Sequence, residues 1–317
     1  MTRDRIDTHQ HYIPAPYRRE MEANHRSAGG WPTPNWNVEG AIALMDTEEI
    51  ATGILSVSAP GIHFGNDAQA RDLSREVNEF GADIVKDRPD RFGLFASLPL
   101  PDVDGALAEV AYAFDELDAD GVVLMSNVHG TYLGDPRYEP LWAELNERKA
   151  VVFIHPDAPP IEMLDGMPSP LLDFPFDTTR TAVHMVAMGV MQRHSKVKVI
   201  LSHGGGFLPY AAYRFTGAAA FHEGITPEGI LEDLRKFYFD TALSSTPASL
   251  PSLTAFADPT HITYGSDYPF APSTRQFSEM LDHSELDEAT KAAINRGNAE
   301  LLFPRLARSA TRTTLPR

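Results

Sequence analysis

The chain contains no cysteine. That excludes disulfides, thiolate zinc sites and cysteine nucleophiles, and leaves the redox compartment open. Positive charge is scarce: 27 Lys and Arg stand against 44 Asp and Glu, a net charge of −17. Phosphates would be repelled by such a surface, so neither nucleic acid nor an anionic membrane is an expected partner. No apolar run approaches the length needed to cross a bilayer. The start, Met1-Thr2-Arg3-Asp4-Arg5, is charged and leads into no apolar signal region, so a cytoplasmic protein is the expectation. A glycine-rich phosphate turn is also missing after the first strand-like run, which counts against an open doubly wound sheet.

What is present reads as an ordinary globular chain. Hydrophobic residues make up 43% and charged residues 22% of 317, enough for a sizeable core and too apolar for disorder. Short aliphatic runs at 5–9, 50–57, 91–98, 120–125, 150–155, 197–203, 236–241 and 261–267 read as strands. Several are continuously apolar, as strands buried on both faces must be. Amphipathic segments lie between them: 38–48, 67–87 with Asn66 as N-cap, 104–117, 140–148, 178–194, 209–220 and 247–257. Two or three more helices are expected within 276–303. Eight β-then-α units in one chain predict an α/β fold, a single-domain (β/α)8 barrel spanning 1–305, followed by a polar tail at 306–317. The Pro/Gly/aromatic stretch 12–36 reads as a long loop, and loops of that length are more often functional lids than filler.

The chemistry-bearing residues share one position. His9 and His11, His155, His203 and Asp267 all fall at the C-terminal ends of strand runs. In a (β/α)8 barrel those ends meet at one mouth, where catalytic groups are carried. His9 and His11 stand two apart on an extended strand, so both rings point the same way. Two imidazoles with a third and a carboxylate from other strands make a first-row metal site. A lone buried histidine is ordinarily a satisfied core group. Four at strand ends with an aspartate are not explained that way. The other histidines, 25, 63, 129, 184, 194, 222, 261 and 283, lack this placement and read as surface or packing residues.

The motifs Asp7-Thr8-His9-Gln10-His11, Phe153-Ile154-His155-Pro156, Leu201-Ser202-His203-Gly204-Gly205-Gly206 and Tyr264-Gly265-Ser266-Asp267-Tyr268-Pro269-Phe270 occur in this order. They resemble the amidohydrolase superfamily, and within it the aminocarboxymuconate-semialdehyde decarboxylase-like branch. That branch includes the γ-resorcylate, 5-carboxyvanillate and 6-methylsalicylate decarboxylases. GGWPTPNW (29–36), LPLPDVDGAL (98–107) and YLGDPRYEP (132–140) resemble the 6-methylsalicylate side in particular. The similarity runs to Arg296-Gly297-Asn298-Ala299.

The resemblance implies His9, His11, His155 and Asp267 as metal ligands, and His203 with Asp267 as the catalytic pair. Two-metal members need a lysine at the end of strand four. This chain has Leu124-Met125-Ser126-Asn127 there, so one divalent ion is expected. Some members carry Glu where His9 stands. The histidine favours zinc, with manganese the alternative. Arg214, eleven residues beyond His203, matches an arginine that reaches the substrate carboxylate, in some members from a neighbouring subunit. Guanidinium suits that contact because it binds carboxylate bidentately. Arg180 is the weaker candidate, expected only to cap and pair near a helix start. Gly206 replaces a glutamate found in some members, so an identical acid–base relay is not implied. Phe270, with Tyr12 and Trp31, can stack on a flat ring. The implied reaction is metal-dependent, non-oxidative decarboxylation of a hydroxylated aromatic, salicylate-like or unsaturated carboxylic acid by a homodimer or higher homo-oligomer. The same ligands would also serve a hydrolase of a lactone or amide, and the two are separated by product analysis. A barrel with no activity, used as a scaffold, is disfavoured by the complete ligand set.

Overall fold

The computed structural model describes residues 4–222, 224–271 and 274–307. Eight parallel strands follow one another in chain order. They are β1 Arg5–His11, β2 Ile50–Ser56, β3 Phe92–Ser97 and β4 Gly121–Met125. The second half adds β5 Val151–His155, β6 Lys198–Leu201, β7 Tyr238–Asp240 and β8 Ile262–Thr263. The sheet returns to its start. Thr8 N–H donates to the Tyr264 carbonyl at 2.9 Å, and His11 N–H to the Tyr268 carbonyl at 2.7 Å. With helices between the strands and more after the last, this is a single-domain (β/α)8 barrel.

Strand β5 shows why the runs are continuously apolar. Val151 and Phe153 join the barrel interior with Ile6, Ile54, Phe95, Val123 and Ile200. Val152 and Ile154 belong to the larger cluster between sheet and helices. Both faces are buried, so neither can be polar. Following the same alternation, His155 is the next inward residue and stands at the mouth. The opposite end is closed by the C-terminal segment: Phe303 and Leu306 join the interior cluster, and Arg305 pairs with Asp120 just before β4. Leu306 is thus packed into the barrel, whereas 308–317 lie outside the described residues.

Helix starts follow their caps. Asn37, Asn66 and Asp102 each accept a hydrogen bond from the backbone N–H three residues on. Three segments differ from the sequence expectation. The stretch 12–36 is not all loop, because Ala15–Ala23 is helical. Pro14 and Pro16, which suggested loop, lie at the helix start where a missing N–H costs nothing. The helix expected from 178 begins at Ser169 and ends at Ala187, with Pro175 inside it. A helix at Pro227–Leu234 was not anticipated. Among the described residues no helix is long and apolar enough to cross a membrane.

Candidate metal centre

Strand β1 brings two residues to the mouth. Its register against β2 shifts between Asp7 and Gln10. Across that shift His9 and His11 turn their rings together, with Nε2 to Nε2 at 3.0 Å. The His155 ring lies 4.7 Å from that of His11 and 5.4 Å from that of His9, between centroids. Asp267, just past β8, sets Oδ1 at 3.3 Å from both His9 Nε2 and His11 Nε2. One donor atom from each of these four buried residues lies within 4.8 Å of the others.

The donor set fits a divalent cation. Each histidine has its outer nitrogen engaged: His9 Nδ1 with Asp240 Oδ2 at 2.7 Å, His11 Nδ1 with Ser56 Oγ at 3.0 Å, and His155 Nδ1 donating to the Pro156 carbonyl at 2.8 Å. Those bonds fix the ring orientations and turn the Nε2 lone pairs inward, the arrangement that metal-ligating histidines adopt. Three imidazole Nε2 atoms and a carboxylate converging in a buried space suit a cation, which would take the place of the proton that His9 holds. Asp240 was not recognised from sequence. Its signal was its place at the end of the seventh strand run, KFYFDT, beside the position that carries ligands on other strands.

Electrostatics agree with the geometry. Burial opposes charge on His9, but the Asp240 and Asp267 carboxylates outweigh it and push its pKa up to about 10. His155 is driven well below the usual histidine range by burial and by the neighbouring His11, His9 and His203. Burial also lowers His11. Burial of Asp267 favours its neutral form, yet the surrounding histidines overcome this and hold it well below the usual carboxylate range. Asp7 accepts the backbone N–H of His9 and of Ser266, each at 3.0 Å, and burial raises it to about 7.

His203 stands beside the cluster, its Nε2 3.4 Å from Asp267 Oδ2. Its backbone N–H donates to Asp240 Oδ1 at 3.0 Å. Its Nδ1 is buried without a hydrogen-bond partner. His203 and Asp267 line a cavity of about 240 Å³ together with His155, Trp31, Phe174 and Phe270. The Phe270 ring is 5.6 Å from that of His11. Tyr12 is not at this mouth: it is fully buried, and its hydroxyl donates to the Val77 carbonyl. Arg214 stands exposed on the helix Leu208–Phe215 and does not line the cavity of its own chain. Arg180 sits within the helix Ser169–Ala187 rather than at its start, over the rings of Tyr132 and Phe176.

A family profile described as "Amidohydrolase" matches residues 6–305. The chain belongs to the amidohydrolase family. Among its amidohydrolase relatives, a protein named decarboxylase macB from Penicillium terrestre is 40% identical, over 99% of this chain and 98% of the relative. A 6-methylsalicylic acid decarboxylase from Penicillium expansum is 39% identical, over 95% and 97%. A dihydroxybenzoic acid decarboxylase from Polaromonas sp. JS666, solved with manganese and 2-nitroresorcinol, shares the fold. Its TM-score is 0.81 over 99% of this chain and 100% of that one, at 22% identity. Strand β4 ends without lysine, in Met125, and Ser126 follows it.

Proposed function

We propose that this chain is a metal-dependent, non-oxidative decarboxylase, a carboxy-lyase, acting on a salicylate-like acid. The observation that carries the reading is one cleft with a polar end and an apolar body. The three-histidine, one-aspartate cluster and His203 sit at one end, and Trp31, Phe174 and Phe270 form walls suited to a flat ring. The relatives named as decarboxylases, one of them for 6-methylsalicylic acid, support the same reaction class.

His9, His11, His155 and Asp267 would hold one divalent ion. Zinc is our preferred ion for three imidazoles, and the manganese in the Polaromonas structure supports the alternative. When bound, the ion would supply Lewis-acid charge that draws electron density from the acid. The chain's own residues do the rest. Asp267 delivers a proton to the ring carbon that bears the carboxylate. The carbon–carboxylate bond then breaks, its electron pair returns to the ring, and carbon dioxide leaves. Asp267 rests ionised, so it must take up that proton in each turnover. His203, at 3.4 Å, is the group placed to pass it on. Phe270 stacks on the ring. Arg214 recognises the substrate carboxylate from the neighbouring subunit of a homodimer or larger homo-oligomer. Its exposure in its own chain supports a role in trans.

The test is to incubate the metal-loaded protein with 2-hydroxy-6-methylbenzoate and related acids, and to measure carbon dioxide released and water consumed. Carbon dioxide without water consumption is expected. His203→Asn should keep its metal and lose roughly two or more orders of magnitude in turnover. Hydrolysis of lactones or amides, with no acid decarboxylated, would overturn the reading.

A further inference from the structure

Three residues in the cavity wall hold a left-handed backbone without being glycine: His203 (φ 54°), Asp267 (φ 58°) and Leu243 (φ 52°). That region is uncommon for any residue with a Cβ, and an outlier for a bulky one. It persists where surrounding structure imposes it, and it clusters at functional sites. The proposed chemistry accounts for His203 and Asp267. It does not use Leu243.

Leu243 is held in place by the carboxylate that supports the candidate metal centre. Asp240, which holds His9 through Oδ2, accepts the Ala242 N–H on Oδ1 at 2.9 Å. Ser244 N–H then closes on the Thr241 carbonyl at 3.0 Å. Leu243 occupies the third position of this turn, where a positive φ calls for glycine or asparagine. The chain carries leucine instead, and that leucine faces the cavity. Around it the wall is formed by Ala28, Trp31, Leu171, Phe174 and Phe277. Apart from the metal cluster and His203, the polar side-chain groups among the described lining residues are the Trp31 indole N–H and the Ser58 hydroxyl, and the latter lies 3.4 Å from His155 Nε2. Against Leu243, Leu171 and Phe277 a second ring hydroxyl would be buried without a partner, whereas a methyl group would gain contact.

We propose that Leu243 is a specificity-determining residue. It selects a salicylate-like acid with an apolar ring substituent over one with a second ring hydroxyl. This rests on the decarboxylase reading. The experiment measures kcat/KM of the metal-loaded full chain for 2-hydroxy-6-methylbenzoate and for 2,6-dihydroxybenzoate. The wild type should prefer the methyl acid by on the order of 100-fold, the scale of methyl-against-hydroxyl discrimination in an apolar pocket. Leu243→Asn suits the left-handed turn and adds a polar group, so it should fold and lower that preference by about tenfold or more. Leu243→Gly removes the side chain without strain. It should weaken turnover of the methyl acid without a gain on the dihydroxy acid, and it decides the matter if the asparagine variant does not fold. Both variants should hold as much metal as the wild type. An unchanged preference, or an equal loss on both acids, overturns the role of Leu243 and leaves the decarboxylase standing. Failure of the wild type to decarboxylate either acid overturns both.

Discussion

Asp240 joins three parts of the site with one carboxylate: the His9 ring, the His203 backbone and the turn that presents Leu243. Sequence could not single it out, because an aspartate at a strand end is as often a cap or a turn residue. Its partner was equally hidden, since nothing local says that a strand-seven carboxylate meets a strand-one ring. The pair has a measurable consequence. A histidine free in solution loses its proton near pH 6.5, whereas His9 holds its own to about 10. That stabilising contribution is therefore complete below 6.5 and is lost as pH rises through about 10, so the metal-free protein should lose stability toward alkaline pH. At pH 7 an arriving ion must displace the His9 proton. His11 and His155 are lowered and Asp267 is ionised, so they release none. Calorimetry in buffers of different ionisation heat should thus count about one proton released per ion bound. A buffer-independent heat would show that His9 was neutral beforehand. Asp240→Asn removes the partner and should weaken metal binding by about 10–100-fold, read by competition with a chelator.

At the scale of elements, the strands were legible because several are short apolar runs buried on both sides, and because the candidate metal ligands mark where several of them end. Helices were legible where polar caps announced them, as at Asn66. Ala15–Ala23 was hidden because proline reads as loop until its position within the first turn is known. Gly206 was noticed only as a missing glutamate. The fold supplies the reason. Gly206 holds φ 64° and ψ −123°, and a Cβ there would lie 2.0 Å from the Pro175 carbonyl oxygen. Glycine is therefore what lets the turn after β6 pack against the helix Ser169–Ala187, whose Thr179 hydroxyl accepts the Phe207 N–H at 2.8 Å. Gly206→Ala must push those two elements apart. It should lower unfolding free energy by about 1–3 kcal/mol in urea titrations and reduce turnover, because His203 rides on the same turn. Wild-type stability in that variant would mean that the contact relaxes freely.

The whole molecule has a net charge of −17, yet the stretch 208–221 exposes aromatic rings. Tyr210, Tyr213 and Phe221 are 87%, 72% and 86% exposed, and Arg214 lies on the same helix as the two tyrosines. Exposed aromatic patches of this kind mark interaction surfaces. The carboxylate-binding role proposed for Arg214, which does not line its own cleft, requires that surface to meet a second copy. Closed symmetry would then give each cleft the arginine of the other chain. Arg214→Lys keeps the charge and loses the planar fork, so it should raise KM more than it lowers kcat. The decisive measurement mixes two inactive chains, Arg214→Ala and His203→Asn. If the arginine acts in trans, each mixed dimer contains one cleft with both groups intact. Equal amounts, allowed to exchange, should then recover about a quarter of wild-type activity. Neither parent alone should recover any. Mixed dimers demonstrated by mass spectrometry but without activity would return Arg214 to its own chain, and a strictly monomeric protein would remove it from the site.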